Sequence, residues 1–122
     1  MAAGNDRALA LVGDGHLGED RTELTLEQTG QWVVLSLGSA HFFDLDLRLV
    51  TRIPGVLRAE FVTDTGRELR SLDSCRVGEV GLWTMEPFPH ERDLDFRWHQ
   101  SSFIQRIVRV VGLERLPGLP GS

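Results

Sequence analysis

The chain has 122 residues, 41% hydrophobic and 25% charged, with a formal net charge of −5; this fits one soluble domain with a core of its own and no membrane span. Every basic residue other than histidine is arginine, tyrosine is absent and Cys75 stands alone. These absences exclude lysine Schiff-base chemistry, an ordinary P-loop, an intrachain disulfide and a multi-cysteine zinc site, and the acidic balance argues against nucleic acid as the partner.

The start, "MAAGNDRALALVGDG", lacks the basic head and long apolar stretch of a signal peptide, so a cytoplasmic location is expected. "RALALV" (7–12) is a short apolar run. "GDGHLG" (13–18) is a literal G-x-G-x-x-G. A dinucleotide site would need a helix after it, yet "RTELTLEQ" (21–28) alternates like a strand, with Leu24 and Leu26 on one face. The loop therefore reads as a glycine-rich connection, and no cofactor is expected. "QWVVLSL" (31–37) has the β-branched, apolar character of a central strand. The turn after it carries Ser39, and His41 follows. A serine nucleophile would also need an orienting acid and an oxyanion hole, so Ser39 reads as a turn residue.

"HFFDLDLRLV" (41–50) reads as one long strand. Phe43, Leu45, Leu47 and Leu49 share one face, and Asp44, Asp46 and Arg48 the other. After "PG" at 54–55, "VLRAEFVT" (56–63) and "RELRSL" (67–72) read as a hairpin. "CRVGEVGLWTM" (75–85) is a further strand region interrupted by Gly78 and Gly81, and "PFP" (87–89) breaks regular structure. "DLDFRW" (93–98) repeats the pattern of "DLDLRL" (44–49) and reads as the last strand. Paired antiparallel, the two copies would set arginine opposite aspartate on a solvated sheet face.

"SSFIQRIVRVVG" (101–112) reads as an amphipathic helix over 102–112. Ser102 and Gln105 form a capping box, Phe103, Ile104, Ile107, Val108 and Val111 fall on one face, and Gly112 ends it. The expected fold is thus α+β, mainly β. An antiparallel sheet of about six to eight strands curves into a sandwich or small barrel, with one C-terminal helix. Residues 1–116 form a single domain, and 117–122 a disordered tail.

Two residue groups stand out for function. His90, Asp93, Asp95 and His99 have spacing that two or three ligands of a metal ion could share, although Arg97 in the same row repels a cation. Phe42 does not fit the inward pattern, and Trp83 and Phe88 flank the Pro-rich break; the three suggest either an exposed aromatic patch for a protein partner or a second small core under the loop. The expected function is a non-enzymatic binding module acting through a protein partner or self-association. The alternatives are a small-molecule- or metal-binding enzyme built on the 90–99 cluster, and a nucleic-acid accessory domain using Arg97, Arg106, Arg109 and Arg115.

Overall fold

The computed structural model describes residues 15–53, 66–87, 90, 93 and 95–112. The apolar run 7–12, the first arm of the expected hairpin (56–63), Phe88 and the tail 117–122 lie outside the described residues. Seven antiparallel strands are present: β1 (His16–Arg21), β2 (Gln31–Ser36), β3 (Ala40–Asp44), β4 (Leu49–Ile53), β5 (Arg67–Ser74), β6 (Val80–Met85) and β7 (Arg97–Val111). They are ordered β1-β7-β2-β3-β4-β5-β6, and β6 also pairs with β7. Strands β2 to β7 therefore close into a six-strand barrel.

Closure depends on the length of β7. Its residues 97–103 pair with β6, its residues 104–110 pair with β2, and β1 pairs with residues 107–111. Strand β1 thus continues the wall on the side of β7 that β6 has left. The segment after β1 seals that end: the Leu24 amide donates to the Cys75 carbonyl at 2.9 Å, and Glu23 bridges to Arg76.

The interior follows the period-two rule. Trp32, Phe43 and Val50 lie side by side on β2, β3 and β4, and Val34 and His41 form the next row. With Leu24, Leu45, Leu69, Cys75, Trp83, Ile104 and Ile107, the apolar members of these rows make one continuous core. Gly81 is needed inside it. A methyl group there would lie 2.6 Å from the Trp83 indole and 2.7 Å from the Ser101 hydroxyl, so the missing side chain leaves room for the ring. The opposite faces of β2, β3 and the far half of β7 are apolar too. Val33, Leu35, Ala40, Phe42 and Val108 have no exposed surface.

No helix occurs among the described residues, and 102–111 belongs to β7. The helix reading fails for an identifiable reason. A strand buried on both faces produces apolar pairs such as Ile107-Val108, which mimic helical spacing. The Ser102 hydroxyl caps nothing; it accepts a hydrogen bond from the Gly38 amide at 3.0 Å. Gly112 has the positive φ expected of a helix end, 84°, but it terminates a strand.

Three other segments differ from the sequence reading. Residues 22–30 are irregular beyond β1, although Leu24 is still buried. Within 75–85 only Val80–Met85 is strand, and Gly78 turns the chain before it with φ 91°. The stretch 41–50 is a hairpin, with residues 45–48 as its turn.

That turn explains the first "DLD". The Asp44 carboxylate accepts from the Asp46 and Leu47 amides at 3.1 and 3.0 Å, an Asx-type closure. Arg48 takes the left-handed conformation, φ 57°, and Asp46 accepts from the Gly30 amide at 3.1 Å. Asp44 is 4% exposed, so these bonds satisfy a carboxylate that burial would otherwise penalise. The second copy is not its partner. Asp93 and Asp95 lie in turn and bend structure before β7 begins at Arg97, and both are exposed. The echo marks two connections, not two paired strands.

Candidate functional site

The inward rows do not stay apolar to their ends. On β4 the row continues from Val50 to Arg52, and β5 begins on the same face with Arg67, which is in register with Val50. On β7 the row starts with Arg97 and His99, in register with Met85 and Trp83. His41 is in register with Arg52. Cross-strand neighbours share a face. The register alone therefore gathers three arginines and two histidines around Trp83.

These side chains line a cavity of about 300 Å³ together with Val50, Met85 and Trp98. Strand β2 contributes nothing to it. β2 ends at Ser36, while β7 begins seven residues before the Ile104 that pairs with Ser36. Among the described residues, no strand occupies that side of Arg97 to Ser101. The cavity lies where the barrel wall is incomplete, between the starts of β3 and β7 and the end of β4.

The floor is aromatic. The His41 and Trp83 rings meet edge to face with centroids 4.8 Å apart, and His99 is 4.9 Å from His41 and 5.0 Å from Trp83. Phe43 closes the far side of Trp83 at 5.1 Å. His41 is 1% exposed, and neither of its ring nitrogens has a hydrogen-bond partner. Burial holds its pKa well below the usual histidine value, with the charges of His99 and Arg52 acting in the same direction. It is a neutral imidazole with one donor and one acceptor unused.

The rim is cationic. Arg52 and Arg97 reach solvent, and Arg67 is half-buried; its guanidinium donates to the Glu86 carbonyl at 3.2 Å. The described lining contains no carboxylate, although the chain as a whole carries −5. Charges of one sign in a walled cavity focus the local potential. The exposed indole of Trp98 stands at the lip and also borders a shallow groove on the outer wall with Phe96, Leu82 and Thr84. The Arg70 guanidinium lies 4.9 Å from the Phe96 ring and donates to the Asp95 carbonyl at 2.6 Å.

The residues singled out in the sequence are distributed differently. His99 belongs to the cavity, but His90, Asp93 and Asp95 are exposed. No group of three or more histidine, cysteine or acidic side chains able to hold a metal ion exists among the described residues. Phe42 and Trp83, candidates for an exposed patch, are 0% and 1% exposed. Trp83 is the floor of the cavity. Ser39 is hydrogen-bonded with Ser36 in the turn between β2 and β3 at 3.1 Å, and His41 is no base for it. Of the four C-terminal arginines, Arg106 forms a two-bond ion pair with Asp20 at 2.7 and 2.9 Å. Arg109 lies 5.9 Å from the Trp32 ring. Arg115 lies outside the described residues. Cys75 is buried; loss of solvation, with the charge of Glu23 adding, pushes its thiol up to about 12, far from a reactive thiolate.

Sequence reasoning missed Arg52 and Arg67, and weighed His41 only beside Ser39. The available signal was parity. "VTR" (50–52) and "REL" (67–69) each put an arginine two residues from a core apolar, on the face that should be buried. Comparison with protein-family models, characterised proteins and solved structures finds no match to this chain.

Proposed function

We propose that the protein is a binding module that captures a small organic anion in the open side of its barrel. The observation that carries this is the convergence of Arg52, Arg67 and Arg97, from three different strands, on one cavity floored by His41, His99 and Trp83. A volume of about 300 Å³ is at the lower end for small-molecule sites. The mixture of an apolar wall and a few convergent charged groups is the usual composition of such sites. Guanidinium groups suit carboxylate and phosphate because their planar fork offers two parallel donors. The groups serve binding and orientation; the one thiol is buried and protonated at neutral pH.

The test is thermal denaturation with a panel of anions. A ligand at 100 times its dissociation constant stabilises the folded state by about 2.7 kcal/mol, a readily measured shift. Saturable stabilisation by one class of organic anion is expected, weakening as salt is added. Arg52→Ala and Arg97→Ala should fold with little change in stability yet lose that response. If anions at millimolar concentration leave the melting temperature unchanged while a divalent cation raises it saturably, the anion reading is wrong.

A further inference from the structure

We infer that the anionic group held in the cavity is a phosphate monoester, with the His41 imbedded imidazole donating to it at the inner end and the organic body lying against Trp83 and Met85 toward Trp98. This rests on the anion-binding reading above and narrows it to one ligand class. The first argument is charge. Three guanidinium groups border the cavity and no described carboxylate does. A phosphate monoester, at about −1.5 to −2 near neutral pH, interacts with several guanidinium groups more strongly than a singly charged carboxylate does.

The second argument is donor count. Each guanidinium carries five N–H donors. A carboxylate has two oxygens and is saturated by one or two bidentate arginines, whereas a phosphoryl group presents three terminal oxygens. Arginines arriving from β4, β5 and β7 surround a tetrahedral group better than a planar one.

The third argument is His41. A fully buried polar ring with neither nitrogen bonded is costly, because an unsatisfied buried donor loses its hydration without replacement. The ring lines the cavity, and a ligand oxygen admitted to one of its nitrogens by a shift of the ring removes the penalty. The neutral imidazole can give one N–H without adding a positive charge to those of the three guanidinium groups. Finally, the cavity is larger than a phosphate ion needs, and its remaining walls are Val50, Trp83, Met85 and Trp98. An ester with a compact apolar or aromatic body fills that space; inorganic phosphate does not.

Titration calorimetry with phenyl phosphate, benzoate and inorganic phosphate decides the matter. Phenyl phosphate should bind at least about tenfold tighter than benzoate, and tighter than inorganic phosphate, which lacks the body. His41→Phe should keep the wild-type melting temperature or exceed it. It should weaken phenyl phosphate by about tenfold to a hundredfold, the range for a lost hydrogen bond to a charged group. His41→Gln, which retains a donor, should recover part of that loss. Benzoate binding as tightly as phenyl phosphate, with both abolished in Arg52→Ala, would overturn the phosphate assignment while leaving the anion site standing. Heat from none of the three ligands would overturn both. An affinity for phenyl phosphate unchanged in His41→Phe would remove His41 from the site and sink the inner-end geometry.

Discussion

The two halves of β7 run in one unbroken strand but in different surroundings. Residues 104–110 have β2 on one side and, from Ile107 onward, β1 on the other. Ile104, Ile107, Val108 and Val110 are buried there. Residues 97–103 pair with β6, and Trp98 and Phe103 are 64% and 55% exposed. One half carries the fold and the other borders a cavity. Stability and the proposed binding are therefore separable along a single strand. In the closed half a wrong side chain meets apolar groups on both sides; in the open half it meets solvent on one side and a cationic hollow on the other. The missing pairing beside Arg97 to Ser101 leaves the cavity open, and the apolar layers next door pack the remaining wall.

Breaking the closed half should have the largest effect. Ile107 is fully buried in the core and in register with Val34. Ile107→Asp would place an unpaired carboxylate among Trp32, Val34 and Ile104. The expected loss is about 4 kcal/mol or more, a large part of the stability of a domain this size. Urea denaturation measures it. A variant that unfolds at the wild-type midpoint would show that the far half of β7 does not carry the core.

The next effect is acid sensitivity, and it comes from the cavity. His41 in the unfolded chain protonates around the ordinary value of 6.5; in the fold burial, His99 and Arg52 hold it well below that. Below pH 6.5 the unfolded state takes up a proton that the native state refuses. The stability tied to this group is fully present above that pH and is lost as pH falls toward the folded value, at up to about 1.4 kcal/mol per pH unit. His41→Gln removes the titrating group, so its stability should fall less than that of wild type between about pH 6.5 and about pH 5. Paired denaturation curves across this interval check it. Parallel acid limbs for the two proteins would mean that His41 is hydrated or already charged.

How much of this was legible in the sequence differs between the same two regions. The β-branched, apolar content of residues 31–37, the alternation that starts at residue 41 and the turn between them pointed to paired antiparallel strands, and to a sheet able to close. The far half of β7 was misread because burial on both faces erases alternation. "FIQRIVRVV" (103–111) then satisfies a helical stripe, and only its β-branched content argues otherwise. The site was visible only in fragments. Arg97 and His99 share a parity, and the observation that Arg97 would repel a cation has the sign that the proposed anion site requires. Nothing local, however, announces that Arg52, Arg67 and His41 meet them. Their convergence is a product of strand order and barrel closure, which a single sequence read in windows does not contain.

The smallest expected effect concerns the echoed acids, and it separates the two copies of the motif. Asp44 is buried and holds two backbone amides of its own turn. Asp93 and Asp95 are exposed and precede β7. The described bond at Asp95 uses its main-chain carbonyl, which accepts from Arg70, so an amide side chain leaves it intact. The double variant Asp93→Asn, Asp95→Asn should change stability by less than about 0.5 kcal/mol, as exposed charges away from buried networks do. A chelator should leave the melting curve of wild type and variant alike unchanged, since metal linked to folding would shift it. The same pair of proteins tests the cavity from outside. Removing two negative charges from the stretch that leads into Arg97 should tighten binding of phenyl phosphate slightly at low salt, and the difference should vanish as salt rises. A chelator-sensitive wild type with an insensitive variant would restore the acidic cluster as a metal site; a binding difference that survives high salt would place one of these aspartates in contact with the ligand.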